Sequence, residues 1–332
     1  MTTNSSPATL PTDMALSFEQ TVPRAVAHRR AVGEVFVTDT AELGADRFLL
    51  AWQVPRAHAL WGDRVAAYHD PFSVAEAARQ GCFVVVHRHL GIPIDLPFSL
   101  RRFSFQVLDL EPFRDDRRHP LQGVLDYRLA NREFSGGELG SMTVDGVVHI
   151  GGGQAMTVSG DVVFVSRQDY QALRAYQRSR KPLAGAGPAP SAEPVAAAAV
   201  GRRDSRNVVV GAAGDPRAPR WPLVIDRSHP SYFDHDYDHV PGPFIVEGFR
   251  QTALLAATAS GALSSPVAAL TSLDTTFADF GEFEAPLHYQ VGSAGAPPHG
   301  PGPDGPAHLV QAGLYQFGQE IARAAIGLTP YP

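Results

Sequence analysis

HVPGPFIVEGFRQTALLAATASG, residues His239–Gly261, decides how this chain is read. A proline-glycine turn runs straight into an apolar stretch rich in alanine and leucine. That stretch is long enough to predict a helix over Phe244–Leu255. Pro243 falls in its first turn, where a missing N–H costs nothing, and Gly261 can end it. Glu247, Arg250 and Gln251 are set inside the apolar run. A poorer copy stands earlier, at His69–Gly91: HDPFSVAEAARQGCFVVVHRHLG. Glu76, Arg79 and Gln80 match Glu247, Arg250 and Gln251 at one constant offset, which marks an internal duplication. Pro71 starts the first helix, and Gly91 with Pro93 stops it.

Strand-like runs flank each helix. AVGEVFVTD and RFLLAWQV precede the first; RRFSFQVLDL, LQGVLDYRLA and MTVDGVVHIGGGQAMTVSGDVVFV come after it. These runs alternate or are β-branched, and Asp145-Gly146 carries a hairpin signal. The second half repeats the order: RNVVVGA and RWPLVID, the helix, then TSLDTTFADF, APLHYQVGS and AHLVQAGLYQFG. One long apolar helix enclosed by antiparallel strands is the hotdog arrangement. The expected fold is therefore α+β, a tandem double hotdog with each curved antiparallel sheet wrapped around a central helix. Pairing the edge strands of the two sheets would also remove two exposed edges.

Composition sets the outer limits. The chain has 332 residues, 44% of them hydrophobic, which is enough for two cores. KPLAGAGPAPSAEPVAAAAV, from Lys181 to Val200, reads as an interdomain linker. The expected division is a tail at 1–22, a first domain at 23–180, a linker at 181–204 and a second domain at 205–332. Ser293–His308, rich in proline and glycine, reads as a long loop between strands. The formal charge of −6 argues against phosphate-driven nucleic-acid binding. No apolar run reaches membrane-spanning length, and the start of the chain reads as a polar tail without a signal peptide. A single cysteine, Cys82, permits no internal disulfide, so a cytoplasmic protein is expected. Lys181 is the only lysine; the excess of arginine reflects a GC-rich coding bias and also suits fixed contacts to phosphate or carboxylate.

HPSYFDHDYDHVPGPFIVEGFRQTA, His229–Ala253, resembles the signature of the A-factor biosynthesis (AfsA-type) hotdog family. VAHRRAVGEVFVTD, VPRAHALWGD, HDPFSVAEAARQGCFVVVHRHLGIP and QDYQALR are similar to that family's first repeat. The resemblance covers most of residues 25 to 290. It implies an acyltransferase of γ-butyrolactone autoregulator synthesis. A β-ketoacyl group would leave an acyl-carrier-protein or CoA thioester and esterify dihydroxyacetone phosphate, with cyclisation to a butenolide afterwards. No cofactor is implied, and the partners are the β-ketoacyl thioester and dihydroxyacetone phosphate, with no nucleic acid and no membrane. The duplication makes an internal pseudo-dimer that can work as a monomer. Two rivals stand beside this reading: a hotdog acyl thioesterase or dehydratase, and a non-catalytic module that binds an acyl ligand.

Acyl transfer needs an apolar slot, donors for an oxyanion, a base and a cation for the phosphate. The turn Pro241-Gly242 feeds a helix N-terminus, whose free N–H groups at Gly242 and Phe244 can hold an oxyanion. Glu247 sits among apolar residues, where burial would raise its pKa toward that of a general base; otherwise it lies on a solvated face. Arg250 shares its helix face and either pairs with it or clamps a phosphate. His235 and His239 are candidate bases, or else loop histidines bonded to backbone. Gln251 is a further substrate contact, and Glu76 and Arg79 are the first-repeat equivalents. They read either as a decayed site that supplies pocket wall or as a second working element. Asp234, Asp236 and Asp238 alternate with the histidines, but the spacing suits turn formation and capping better than a metal site. Cys82 reads as a core residue, and HIGGGQ, His149–Gln154, as a turn. Arg101-Arg102 and Arg117-Arg118 read as solvated charge or as a landing place for an acidic carrier protein.

Overall fold

The computed structural model describes residues 16–135, 138–183, 192–215, 219–295 and 306–332. The first half contains β1 (Val37–Gly44), β2 (Arg47–Val54), α1 (Pro71–Val84), β3 (Phe98–Val107), β4 (Leu121–Ser135), β5 (Glu138–Ile150) and β6 (Gly153–Phe164). Then come α2 (Arg167–Ser179), β7 (Arg220–Pro222), α3 (Gly242–Ala259), β8 (Ala268–Phe277), β9 (His288–Gly295), β10 (His308–Gln316) and β11 (Gln319–Pro330). All these strands pair antiparallel in one sheet, in the order β1-β2-β4-β5-β6-β3-β8-β11-β10-β9-β7. This is a hotdog-type layout, a large antiparallel sheet with few helices.

The order of the second half, read inward from its free edge, repeats that of the first. β7, β9, β10, β11 and β8 stand where β2, β4, β5, β6 and β3 stand. The extended chain at Val210, bridged to Leu223, takes the place of β1. The halves join edge to edge, with Phe103 opposite Thr275 and Phe105 opposite Leu273 across β3 and β8. Neither of these strands is left as an edge.

α1 and α3 are buried because they are apolar nearly all round. Every residue of α1 except Arg79 is buried. α3 packs on β8, β9, β10 and β11. One tyrosine pins each helix to its sheet. Tyr127 donates from its hydroxyl to the Ala78 carbonyl, and Tyr289 donates to the Ile245 carbonyl at 2.9 Å. The rings lie where a helix side chain would be. A Cβ on Gly81 would come within 3.2 Å of the Tyr127 ring, and one on Gly248 within 2.5 Å of the Tyr289 ring.

Several expectations need correction. Asp145-Gly146 is not a hairpin but lies inside β5, paired to Tyr127 and Arg128 of β4. Gly146 is there to make room: a Cβ would sit 2.9 Å from the Tyr127 ring. Residues 1–15 of the expected tail lie outside the described residues, and Val22 is already core. Of the expected linker, 184–191 lies outside the described residues. The remainder of that segment packs against the fold, because Val200 and Arg202 are both buried. The loop read at Ser293–His308 is β9 at its start and β10 at its end, with 296–305 outside the described residues. Two elements went unread, α2 and β11. In β11, alanines stand where strand propensity favours β-branched residues.

Candidate functional site

Each central helix carries a buried carboxylate cluster, and the two clusters have the same wiring. Glu76 takes two bonds at 2.8 Å from Arg79 and one at 3.0 Å from Gln80. Arg29 adds a third cationic contact. Glu247 takes bonds of 2.9 and 2.6 Å from Arg250, 2.6 Å from Gln251 and 2.9 Å from Arg202. Gln80 and Gln251 tie each helix to the chain just ahead of the first extended run of its half. Gln80 bonds the backbone at Phe36 and Glu34, and Gln251 bonds it at Val209 and Asn207. The loops before the helices cross over between halves. Asp63 accepts from the N–H of Arg203 at 2.8 Å, and Asp234 accepts from the N–H groups of Arg30 and Ala31 at 2.6 and 3.1 Å.

The expected rise in the Glu247 pKa is reversed. Burial does push the carboxyl up, but Arg202 and Arg250 outweigh it, and the carboxyl is lowered to about 2. Glu76 is lowered to about 2 in the same way, burial being outweighed by Arg79 and Arg29. Both shifts run opposite to the direction expected of a general base near neutral pH. Arg250 is an ion-pair partner with its side chain 7% exposed, and Gln251 is a structural clamp. Phe244 is core, packed edge-on against Tyr232 at 5.2 Å.

What separates the clusters is space. A cavity of about 520 Å³ opens beside the first and includes Arg79. Neither Glu247 nor Arg250 lines it. Beside the second cluster, Tyr68 stacks on Tyr331 at 5.1 Å, and Tyr331 lies near Asp70, Arg250 and Arg202. The first copy is therefore the open one, and its helix faces the loop of the second copy. His235 meets Arg79 at the cavity, across the duplication, and does not meet Glu247.

Apolar and polar side chains share the cavity lining. Phe98, Phe103, Val144, Val158 and Val162 supply an apolar wall, with Cys82 and Phe83 of α1. Burial raises the Cys82 thiol to about 12, which favours the protonated form near neutral pH. Arg79, His28, His235, Tyr237 and His239 line it too, with Gly242 at the start of α3, and Arg101 and Asp279 add one charge of each sign. Tyr170, Leu173 and Gln177 of α2 line it as well. His239 Nδ1 lies 2.6 Å from the Asp238 carboxylate. Asp238 also accepts from Tyr170 at 3.0 Å and Arg174 at 3.1 Å, so the pair is held. α3 begins without a side-chain cap, Pro241 being its N-cap residue. α1, by contrast, is capped by Asp70, which accepts from the Phe72 N–H at 3.0 Å.

Of the residues expected from sequence, Arg79, His235, His239 and Gly242 meet at the cavity. Glu76 stands behind Arg79. Sequence reading missed His28, Tyr237, Arg29 and Arg202. The arginines had a signal: HRRAVGEVFV and GRRDSRNVVV both carry an arginine pair ahead of a β-branched run. Among the described residues, no three His, Cys, Asp or Glu side chains converge as metal ligands. Asp234 and Asp238 are spent on backbone N–H groups and on Arg174, and Asp236 on Arg30.

A model of the A-factor biosynthesis hotdog domain matches this chain twice, at residues 11–165 and 183–326. The chain belongs to the A-factor biosynthesis hotdog family. Within the family, it is 32% identical to the 2-oxo-3-(phosphooxy)propyl 3-oxoalkanoate synthase of Streptomyces virginiae, over 70% of this chain and 76% of that one. It is 29% identical to the enzyme of the same name from Streptomyces coelicolor, over 83% and 84% of the two chains. Among solved structures, a Lactobacillus plantarum protein described as an oleoyl thioesterase superposes with a TM-score of 0.51. It is 12% identical, covering 88% of this chain and all of its own, and shows the hotdog fold shared by the A-factor family.

Proposed function

We propose that this enzyme transfers a 3-oxoacyl group from a carrier-protein or CoA thioester to the free hydroxyl of dihydroxyacetone phosphate. The relatives' name describes that product, a phosphooxy-oxopropyl ester of a 3-oxoalkanoic acid. In the step, the hydroxyl oxygen bonds the acyl carbon, the C–S bond breaks, and the hydroxyl proton ends on the leaving thiolate. Reduction and dephosphorylation belong to other catalysts.

One observation carries the reading. A single cavity joins an apolar slot from the first half to the uncapped start of α3 from the second. The acyl chain lies along Phe98, Phe103, Val144, Val158 and Val162. The thioester carbonyl points at the N–H groups of Gly242 and Phe244, where the helix dipole favours a developing oxyanion. Gly242 has no side chain to hold the carbonyl away. Asp238 accepts only, so His239 donates from Nδ1 and keeps its lone pair on Nε2. His239 takes the hydroxyl proton there and returns it to the sulfur. Glu76 anchors Arg79. In this reading the chain is a tandem double hotdog, supported by the repeated strand order and the two separate family matches. The packing of Val200 and Arg202 carries the second unit back ahead of residue 205.

Mass spectrometry of the protein with a 3-oxoacyl thioester and dihydroxyacetone phosphate tests it. The expected product is the phosphorylated ester or its butenolide, lost in His239→Gln. Free acid formed at the same rate without the acceptor would instead make the protein a thioesterase. A thioester bound but unchanged would make it a binding module.

A further inference from the structure

We propose that Arg79, His28 and His235 form a phosphomonoester subsite in the wall of the cavity. The proposal rests on the acyl-transfer reading only for its choice of ligand, the phosphorylated acceptor.

The duplication supplies an internal comparison. In the closed cluster, Arg202 and Arg250 share Glu247, and a second carboxylate, Asp70, lies 3.9 Å from Arg202. In the open cluster, Arg29 and Arg79 share Glu76 alone. The position matching Asp70 is Pro241, which has no charge. Two other acids nearby are engaged elsewhere. Asp234 accepts from backbone N–H groups, and Glu34 faces His58 at 3.2 Å and Ser231 at 3.0 Å. Arg29 and Arg79 therefore have only one carboxylate bonded directly to them, where Arg202 and Arg250 have Glu247 and the nearby Asp70. Arg79 spends Nε and Nη2 on Glu76, and among the described residues its Nη1 has no partner. Arg29 Nε is buried and unpartnered behind it.

The imidazoles fit the same ligand. The Ile92 carbonyl can only accept, so His87 donates to it from Nδ1, 2.7 Å away. His87 Nε2 is then an acceptor, and His28 donates to it from Nε2 at 2.7 Å. This leaves His28 Nδ1 as a lone pair with no donor among the described residues. A protonated phosphate oxygen is the complementary group. His28 holds its place with a left-handed backbone, φ 52°. Around it stand His87, Arg79, His235 and Arg29, all bases, which together with burial lower its pKa to about 3. Burial, then Arg29 and Arg79, lower His235 to about 4 against the opposing pull of Asp234. Tyr237, Arg30, Cys82 and Glu76 stand close by, and Arg101, Tyr127, Tyr170, His239 and Asp279 line the same cavity. An arriving dianion reverses the sign of this field.

Binding is therefore coupled to proton uptake. Above about pH 6 a free phosphomonoester is mostly a dianion, and His28 is neutral. The complex holds one proton between phosphate oxygen and His28 Nδ1. Affinity then falls about tenfold per pH unit above that point and levels off below it.

The test is calorimetric titration of the full chain with dihydroxyacetone phosphate and with unphosphorylated dihydroxyacetone, from pH 5.5 to 8.5, alongside the ester-forming assay. The expected result is binding of the phosphate alone, weakening with pH as above. In His28→Asn, which tolerates the left-handed backbone, and in His235→Asn, Kd rises by about tenfold or more. The wild-type pH series decides the matter even if a variant fails to fold. Equal affinity for the two ligands, or a Kd indifferent to pH, overturns the subsite. Ester formed with an unchanged KM for dihydroxyacetone phosphate in both folded variants overturns the subsite and leaves the acyl-transfer reading intact. No ester from any acceptor overturns that reading, while the binding series still decides the subsite.

Discussion

Asp70 and Pro241 hold the same position in the duplicated pattern, each as the N-cap residue of a central helix, and they leave the two helix starts in opposite states. Asp70 closes α1 with a hydrogen bond to the Phe72 N–H and places a carboxylate 3.9 Å from Arg202. Pro241 closes nothing, and the Gly242 turn behind it opens into the cavity. A helix start with free N–H groups attracts negative charge; a capped one does not. One substitution between copies thus separates a capped helix start from an uncapped one that lines the cavity.

Pro241→Asp should convert the open start into a closed one. The new carboxylate would take the first N–H groups of α3 and place negative charge beside the cavity. Ester formation should fall by about a hundredfold, the cost of losing an oxyanion donor. Stability should hold or rise by about 1 kcal/mol from the added cap. Steady-state rates and thermal melts measure both. Undiminished activity would remove the α3 start from the chemistry.

Glu247→Gln should damage the fold and spare the chemistry. The side chain has no exposed surface and is held by Arg202 and Arg250. Removing its charge leaves two buried guanidinium groups short of a partner, a change that costs about 3 kcal/mol or more. The cavity does not touch it. Denaturant melts should show the loss, and the kcat of the folded protein should stay within a few-fold of wild type. A collapse of kcat with stability unchanged would return Glu247 to the reaction.

Local signals in the sequence were enough for both central helices, most strands and the duplication. Pro71, Pro243 and Gly261 are punctuation that acts over one turn. The site was half legible for a related reason. His235, His239 and Gly242 are close in sequence, whereas Arg79 lies in the other copy and meets them only because the loops before the helices cross between the halves. The Glu247 pKa could not be read either. Apolar neighbours in sequence argue for desolvation, but the dominant charge comes from Arg202, inside a segment whose composition resembles a linker. The contrast between the open and closed copies depends on Tyr331 stacking over Tyr68, a contact between opposite ends of the fold.

Cys82→Ala should leave the reaction running. The thiol lines the cavity, which invites a nucleophile reading, yet burial raises it to about 12 and leaves almost no thiolate near neutral pH. Turnover should change by less than about threefold, in keeping with the loss of one small core contact. Wild-type protein incubated with iodoacetamide at about pH 8 should remain unmodified at Cys82 by peptide mass mapping. An acyl adduct on Cys82, trapped by acid quench during turnover, would replace direct transfer with a covalent intermediate.

Stability should fall in two overlapping stages as the medium is acidified. His69, His229 and His235 are lowered to about 4 and His28 to about 3, burial being the first cause in each case. Between the ordinary histidine value near 6.5 and those folded values, the unfolded chain binds protons that the folded chain refuses. Stability is therefore full above about pH 7 and declines as pH drops through the histidine range. Glu76 and Glu247, lowered to about 2, act in the same direction lower down. Their contribution is present above the ordinary carboxyl value and is lost as pH falls toward 2. Urea unfolding at pH 8, 6, 5 and 4 should give a decline that begins before any carboxylate titrates. Glu247→Gln should flatten only the branch below about pH 4.5, because the histidines are untouched. A flat profile from pH 6.5 to 5 would mean that the four imidazoles are charged in the folded protein. The neutral His28 on which the proposed subsite rests would fall with that result.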